Sequence, residues 1–290
     1  VPNNSHPDNS APHYRGRFAP TPSGPLHFGS LVAALGSYLD AKAHNGSWLV
    51  RVEDVDKTRA VEGADTMILA QLETHGLYWD GEVIYQSDRD EVYQQVLHDL
   101  GNDIYSCDCS RQQIRQRGEC YDGLCRTRQP RPQPYALRFI NDKPVTQFTD
   151  RWHGLVSPDS DCVEEDFIVK RRDNLFAYQL AVVVDDIAQQ ITDVVRGSDL
   201  LQPSFWQLTL WQRFKGACPR MMHLPLVLNT DGRKLSKQNH AAPIDSGQPL
   251  QNLKLAATHL QLGEINAETV TEFLQKATAS WCKKWHIMGN

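Results

Sequence analysis

The sequence predicts an α/β fold: a parallel sheet covered by helices, interrupted by an insertion and followed by a small helical segment. Three observations carry that prediction. Strand-like and helical apolar periods alternate over the first hundred residues, a Cys-, Arg- and Gly-rich stretch from about residue 101 to 134 breaks the rhythm, and alternation resumes from about residue 175. Alternating βα units build a parallel sheet, and such sheets bind ligands at the carboxyl ends of their strands.

The elements follow in order. Residues 1–14 begin polar and Pro/Asn-rich and are expected to form a disordered tail. A strand is expected over Arg15 to Ala19, a helix over Phe28 to His44, a strand over Trp48 to Glu53, and helices over about Val61 to His75 and Glu91 to Leu100. This opening, residues 15–100, is the first half of a Rossmann-like domain. Residues 101–170 are most simply an insertion, with short β-like runs at Ala136 to Ile140, Val145 to Phe148 and Phe167 to Lys170. The β-branched runs Leu175 to Asp185 and Gln190 to Arg196 read as buried strands, so the second half of the domain covers residues 171–238. Helical periods follow at Pro203 to Phe214, Leu250 to Leu262 and Ala267 to Thr278, the last two within a small segment, residues 239–290.

Composition narrows the function classes. The chain has 290 residues, is 40% hydrophobic and 22% charged, and can bury a sizeable core. It has no apolar stretch near the roughly 20 residues that cross a bilayer and no signal pattern at its start, so a cytoplasmic protein without a membrane partner is expected. A formal charge of -5 gives no global field for nucleic acid, and any RNA contact must be local. Arginines gather at 111, 115, 117, 126, 128 and 131 and at 171 and 172, a pattern that a solvated face explains better than a binding patch. Of seven cysteines, four fall between Cys107 and Cys125, which suits a metal site in a reducing compartment better than a disulfide framework. Cys162, Cys218 and Cys282 read as ordinary thiols.

Two short motifs, some two hundred positions apart, carry chemistry. Pro22-Ser23-Gly24-Pro25-Leu26-His27-Phe28-Gly29-Ser30 joins the first strand to the first helix, where backbone N–H groups and the helix dipole favour phosphate. Gly29 lets a flat purine lie on the backbone, and His27 can donate to a phosphate oxygen whose charge changes in the reaction. Lys234-Leu235-Ser236-Lys237-Gln238 follows the turn signal Asn229-Thr230-Asp231-Gly232, and its lysines can neutralise a triphosphate. Each motif alone is better explained by a helix-start histidine or a basic surface loop. Neither Gly-x-x-x-x-Gly-Lys-Ser/Thr nor Gly-x-Gly-x-x-Gly occurs, so ATP, if bound, binds here.

Together the pair resembles the two signature motifs of class I aminoacyl-tRNA synthetases, and the fold it implies is their Rossmann-like catalytic domain. Arg17 to Gly24, Arg51-Val52-Glu53-Asp54, Val182 to Asp186 and Val195 to Leu200 resemble the glutamyl branch. Ser30 stands where the class often has a second histidine, as is common in that branch. The resemblance implies ATP, carried with Mg, as substrate, with His27, Gly29, Lys234, Ser236 and Lys237 around it and His27 and Lys237 acting in catalysis. It places L-glutamate on Arg17, Phe18, Ala19, Pro20, Thr21, Glu53, Tyr178 and Arg196: cations for the carboxylates, an anion for the ammonium group and a phenol. Read without the resemblance, Arg51, Glu53 and Asp54 are equally a surface charge cluster at a strand end.

The cysteine cluster suits structural zinc, because so loop-rich a segment buries little apolar surface of its own. Softness favours Cys120 as the fourth ligand beside Cys107, Cys109 and Cys125. The short glutamyl-queuosine tRNA(Asp) synthetases, which this sequence most resembles, have Cys-x-Cys, tyrosine, then cysteine four residues on. That resemblance implies Cys107, Cys109, Tyr121 and Cys125, with Cys120 the competitor. Residues 239–290 are too few for the anticodon reader of a full glutamyl-tRNA synthetase, so the resemblance implies activation of glutamate and its transfer to the queuosine base of tRNA(Asp). A monomer is expected. The alternatives are a compact enzyme charging the 3′ end of tRNA(Glu), a non-catalytic RNA-binding paralogue, and a general nucleotidyltransferase.

Overall fold

A computed structural model describes residues 13–128, 132–214, 218–228 and 242–287. The first half is built from β1 (Arg15–Phe18), α1 (Phe28–Ala43), β2 (Ser47–Val52), α2 (Ala64–Thr74), β3 (Ile84–Tyr85) and α3 (Asp90–Leu100). β1, β2 and β3 pair in parallel in that order, with Arg15 beside Ser47 and Val52 beside Tyr85. α1 buries Leu31, Leu35 and Leu39, one turn apart, against this sheet's core. A β-carbon on Gly36 would come within 2.5 Å of Leu224, so the helix lies closer than a larger residue would allow without Leu224 moving.

The insertion contributes β4 (Ile104–Cys107), α4 (Arg111–Arg117), β5 (Ala136–Phe139) and, later in the chain, β8 (Ile168–Lys170), with β4, β5 and β8 forming an antiparallel sheet. Between β5 and β8 the chain returns to the main body. β6 (Phe148–Asp150) runs parallel to β10 (Arg220–Leu224), and β7 (Gly154–Val156) is the antiparallel edge. β9 (Asp193–Gly197) pairs with the other side of β10, from Arg220 beside Asp193 to Leu224 beside Gly197. The two sheets meet where Thr192 N–H donates to Arg15 C=O at 2.9 Å and Arg15 N–H to Thr192 Oγ1 at 2.8 Å.

Four further helices complete the body: α5 (Tyr178–Ala188), α6 (Pro203–Phe214), α7 (Pro249–His259) and α8 (Val270–Trp285). α8 is fastened to the core through Trp281, whose Nε1–H donates to Asp40 at 2.9 Å beside the Tyr14 hydroxyl and the Arg151 guanidinium.

Two sequence expectations are corrected. Leu175 to Asp185 is not a strand: α5 occupies Tyr178–Ala188. Its Leu180, Ala181, Val182, Val183 and Val184 all enter one core cluster with Tyr93 and Leu97 of α3 and Leu210 and Trp211 of α6. Burial on every side favours the helix despite the β-branched side chains, whose strand preference is only about 1 kcal/mol. Tyr14, assigned to the tail, is buried and stacks on His44. The rest of the tail, residues 1–12, lies outside the described residues. No helix among the described residues is long and apolar enough to cross a membrane.

Candidate active site

β1 ends at Phe18, the chain turns through Pro20, Pro22 and Pro25, and His27 takes the N-cap position of α1 in extended conformation. Its ring accepts from Ser30 N–H through Nδ1 at 3.2 Å and lies 3.0 Å from Ser30 Oγ through Nε2. Ser30, the residue that replaces a second histidine, thereby orients the first. A cavity of about 460 Å³ opens at this helix start and at the carboxyl ends of β1, β9 and β10. Ten residues expected to bind ATP or glutamate line it: Arg17, Phe18, Ala19, Pro20, Thr21, His27, Gly29, Glu53, Tyr178 and Arg196. Lys234, Ser236 and Lys237 lie outside the described residues. The chain on either side of them is at the cavity, where Val227 lines the wall and Pro243 bridges His27 as a short antiparallel pair.

The electrostatics of this cavity are set by a buried ion network. Asp186 of α5 takes Arg17 through both oxygens, at 3.0 and 3.3 Å, and accepts from Arg51 at 2.8 Å. Arg51 is fully buried, donates to Gln189 at 2.7 Å and lies 3.5 Å from Glu53. Asp185, one position earlier and so about 100° round the helix, lies 3.9 Å from Arg51 Nε and accepts from Arg89, Gln86 and Tyr93. Arg51, Glu53 and Asp54 are thus not a surface cluster: the first two are buried, and Asp54 accepts from Ser87 N–H and Oγ.

Burial pushes the Glu53 carboxyl up to about 7, against the pull of Arg51 and Arg17. Burial likewise raises the Tyr178 phenol to about 12, keeping it a hydrogen-bond donor. Arg196 differs from Arg17 and Arg51 in having no carboxylate in contact. Its three acceptors are neutral: Ser204 Oγ at 2.8 Å, Gln207 Oε1 at 2.6 Å and His223 Nε2 at 3.2 Å. Desolvation accordingly lowers its pKa.

In the insertion, the thiols of Cys107, Cys109 and Cys125 all lie within 4.8 Å of one another, Cys109 and Cys125 at 3.6 Å. The Tyr121 hydroxyl is at the same cluster, accepting from Cys125 N–H at 2.9 Å and hydrogen-bonded to the Cys107 thiol. The Arg138 guanidinium covers the Tyr121 ring at 3.7 Å. Cys120 is elsewhere: it is disulfide-bonded to Cys162, which corrects both the reading of Cys162 as an isolated thiol and the candidacy of Cys120 as a ligand. Forty-two positions separate the two cysteines, and no spacing rule pairs them. Much of the arginine-rich stretch is exposed, but Arg126 pairs with Asp166 and Asp142, and Arg171 with Asp56 and Asp173.

Sequence reasoning missed Asp150, Ser204, Gln207 and His223, and quoted Arg51, Asp185 and Asp186 without a role. The signal for Asp185 and Asp186 was an acidic pair closing an apolar run. Nothing local marked the rest: Asp150 and His223 reach the site through sheet pairing, and Ser204 and Gln207 reach it from α6.

The parallel sheet, the histidine-capped helix start and the cavity between them define a nucleotide-using α/β enzyme domain. Residues 13–254 match the family of class I tRNA synthetases (E and Q), catalytic domain, and the chain belongs to that family. The glutamyl-Q tRNA(Asp) synthetase of Idiomarina loihiensis is 66% identical over 281 residues, covering 95% of this chain and 99% of that protein. The proteins of that name from Cronobacter sakazakii and Escherichia coli (strain K12) are each 49% identical, covering 92% of this chain and 92% and 89% of their own lengths. Among solved structures, a glutamate tRNA ligase from Elizabethkingia meningosepticum superposes with a TM-score of 0.71 at 24% identity, over 95% of this chain and 70% of that one, and so shares the fold.

Proposed function

We propose that this chain activates L-glutamate with ATP and transfers it to the queuosine base in the anticodon of tRNA(Asp). In the first step a carboxylate oxygen of glutamate attacks the α-phosphorus, forming glutamyl-adenylate and releasing pyrophosphate. In the second, a hydroxyl of the cyclopentenediol ring attacks the acyl carbon, and AMP leaves with the bonding electrons while the hydroxyl proton passes to solvent or phosphate. Neither step needs a covalent enzyme intermediate, so catalysis is positioning and charge stabilisation.

The observation that carries the reading is the charge pattern of one cavity. Arg196 has no carboxylate of its own, Glu53 has only a 3.5 Å contact with Arg51, and both share the cavity with the start of α1. A glutamate carboxylate matches the first and an ammonium group the second, with Arg17, Tyr178 and the backbone of Phe18 to Thr21 completing the contacts. His27 and Gly29 serve the phosphates and purine, and Lys234, Ser236 and Lys237 would close on the triphosphate, which enters with Mg. The acceptor is supported by the names of the relatives at 66% and 49% identity. It is also supported by a second cavity, of about 530 Å³, which shares Thr21, Glu53 and Tyr178 with the first and is walled partly by the insertion.

The donor set of the insertion fits zinc. A tetrahedral site with Zn–S near 2.3 Å needs sulfurs about 3.8 Å apart, close to the spacing of these thiols. Cys107, Cys109, Tyr121 and Cys125 would hold one ion per chain, whose role is to cross-link the segment. A cytoplasmic monomer completes the proposal.

Glutamate-dependent ATP–pyrophosphate exchange without tRNA tests activation. Transfer of labelled glutamate to tRNA(Asp) with and without queuosine, and to tRNA(Glu), tests the acceptor. Exchange with glutamate, and labelling only of queuosine-bearing tRNA(Asp), is expected. Labelling of tRNA(Glu) would replace the acceptor assignment, and absence of exchange would remove the activation step.

A further inference from the structure

Arg196 and His223 are register partners on the parallel strands β9 and β10, so their side chains leave the same face of the sheet. Asp150, at the end of β6 on the far side of β10, is buried and surrounded by donors. One oxygen accepts from Trp152 N–H at 2.9 Å and His153 N–H at 3.0 Å, and the other from His223 N–H at 3.0 Å and the His223 ring at 2.7 Å. A carboxyl that meets only donors is ionised, and the ring nitrogen facing it, Nδ1, carries the proton. Burial drives the imidazole down to about 4, so the ring is otherwise neutral and Nε2 presents a lone pair.

That lone pair is 3.2 Å from Arg196 Nε, whose N–H donates to it. The two Nη2 hydrogens go to Ser204 Oγ and Gln207 Oε1. Ser204 also faces Leu200 C=O at 2.7 Å and Nε2 at 2.9 Å, so its single proton serves one of these while its oxygen accepts from Arg196. Three of the five guanidinium hydrogens are thereby taken by neutral acceptors. Among the described residues Nη1 has no partner, and Arg196 lines the cavity.

We propose that His223, held as its Nδ1–H tautomer by Asp150, is a positioning residue that aims Arg196 Nη1 at a substrate carboxylate. The opposite tautomer, or the imidazolium, would set an Nε2–H against Arg196 Nε–H and turn the fork away. A carboxylate in place of His223 would neutralise the cation before substrate arrived. The histidine fixes the guanidinium without supplying a counter-charge. This inference rests on the glutamate reading of the cavity.

The test is the exchange reaction in the full chain, with KM for glutamate, KM for ATP, kcat and thermal unfolding measured for Arg196→Gln, His223→Leu, His223→Gln and Asp150→Asn. His223→Leu and Asp150→Asn are expected to raise KM for glutamate about tenfold to a hundredfold, the effect of losing one hydrogen bond to a charged group, with KM for ATP unchanged. His223→Gln, which can return an oxygen to Arg196 Nε–H, is expected to recover most of the loss. Asp150→Asn keeps the side-chain shape and carries the test if the leucine variant does not fold. If Arg196→Gln raises KM for glutamate while Asp150→Asn and His223→Gln match wild type and His223→Leu has no selective effect, the positioning role is overturned and the glutamate reading stands. Failure of His223→Gln to improve on His223→Leu, or a joint rise of both KM values with lowered unfolding temperature, also overturns the role. If Arg196→Gln leaves KM for glutamate unchanged, the glutamate reading itself fails.

Discussion

Glutamate binding should weaken as pH falls through 7, because Glu53 is the proposed ammonium partner and its carboxyl titrates near 7. Substrate glutamate keeps its own charges between pH 6 and 8, so the enzyme's carboxyl controls the change. With a pKa of about 7, the unprotonated fraction drops roughly tenfold from pH 8 to pH 6, and apparent KM for glutamate should rise by about that factor. Glu53→Gln should bind glutamate poorly and show a flat profile, while KM for ATP follows no such curve in either protein. The same shift has a consequence for stability. The folded state holds the proton more tightly than the unfolded chain, whose carboxyl titrates near 4.5, so ionised Glu53 costs stability that grows from pH 4.5 to 7. The full cost above pH 7 is about 3 kcal/mol, and Glu53→Gln should regain much of it, raising the unfolding temperature by about 5–10 °C at pH 8 and little at pH 5. Thermal scans at both pH values and exchange kinetics across the range check the two halves. A wild-type KM for glutamate that changes less than about twofold from pH 8 to 6 would refute the reasoning.

Three further outcomes are expected. Lys237→Ala should slow adenylate formation about a hundredfold or more while leaving glutamate affinity near wild type, because the role proposed for the lysine is to meet charge that develops on phosphate; pre-steady-state exchange and equilibrium binding separate the two, and equal losses would remove that role. Metal analysis should find one zinc per chain in the wild type and in Cys120→Ser, none in Cys107→Ser or Cys125→Ser, and weakened retention against a chelator in Tyr121→Phe; full retention in Cys107→Ser would refute the ligand set. Asp186→Asn should cost about 3–5 kcal/mol in urea unfolding, since it leaves Arg17 and Arg51 buried without their common carboxylate, and a loss below about 1 kcal/mol would contradict the network.

The βα rhythm of the first half was legible because each element announces itself locally. The apolar run Trp48-Leu49-Val50 marks β2, one-turn spacing of leucines marks α1, and prolines with Gly24 mark the turn between β1 and His27. α5 was misread because its three consecutive valines satisfy a strand and a fully buried helix equally; only the packing of α3 and α6 on either side decides between them. β10 offered no alternation, since Met221, Met222, His223 and Leu224 are all buried. The cavity residues drawn from the two motifs came together because they sit at strand ends and helix starts, which the fold gathers automatically. The polar groups behind them were invisible for the opposite reason. Asp150 lies 73 positions from His223, and Asp186 lies 169 from Arg17, with no sequence period relating either pair.

That hidden layer explains how the cavity tolerates its own charges. Arg17 and Arg51 share the carboxylate of Asp186, and Asp185 accepts from Arg89, Gln86 and Tyr93, so these two arginines already hold a counter-charge before a ligand arrives. Two groups are left incomplete. Arg196 has neutral partners only, and Glu53 holds its carboxylate at a raised pKa with a single long contact to Arg51. One defect is a desolvated cation and the other a desolvated anion, and a zwitterion bearing an extra carboxylate relieves both at once. An uncharged side-chain amide would leave one of them in place, and buried groups left unpaired discriminate far more strongly than a lost apolar contact. Selectivity for an acidic amino acid then follows from what the surrounding aspartates decline to neutralise, rather than from any residue that recognises the substrate alone.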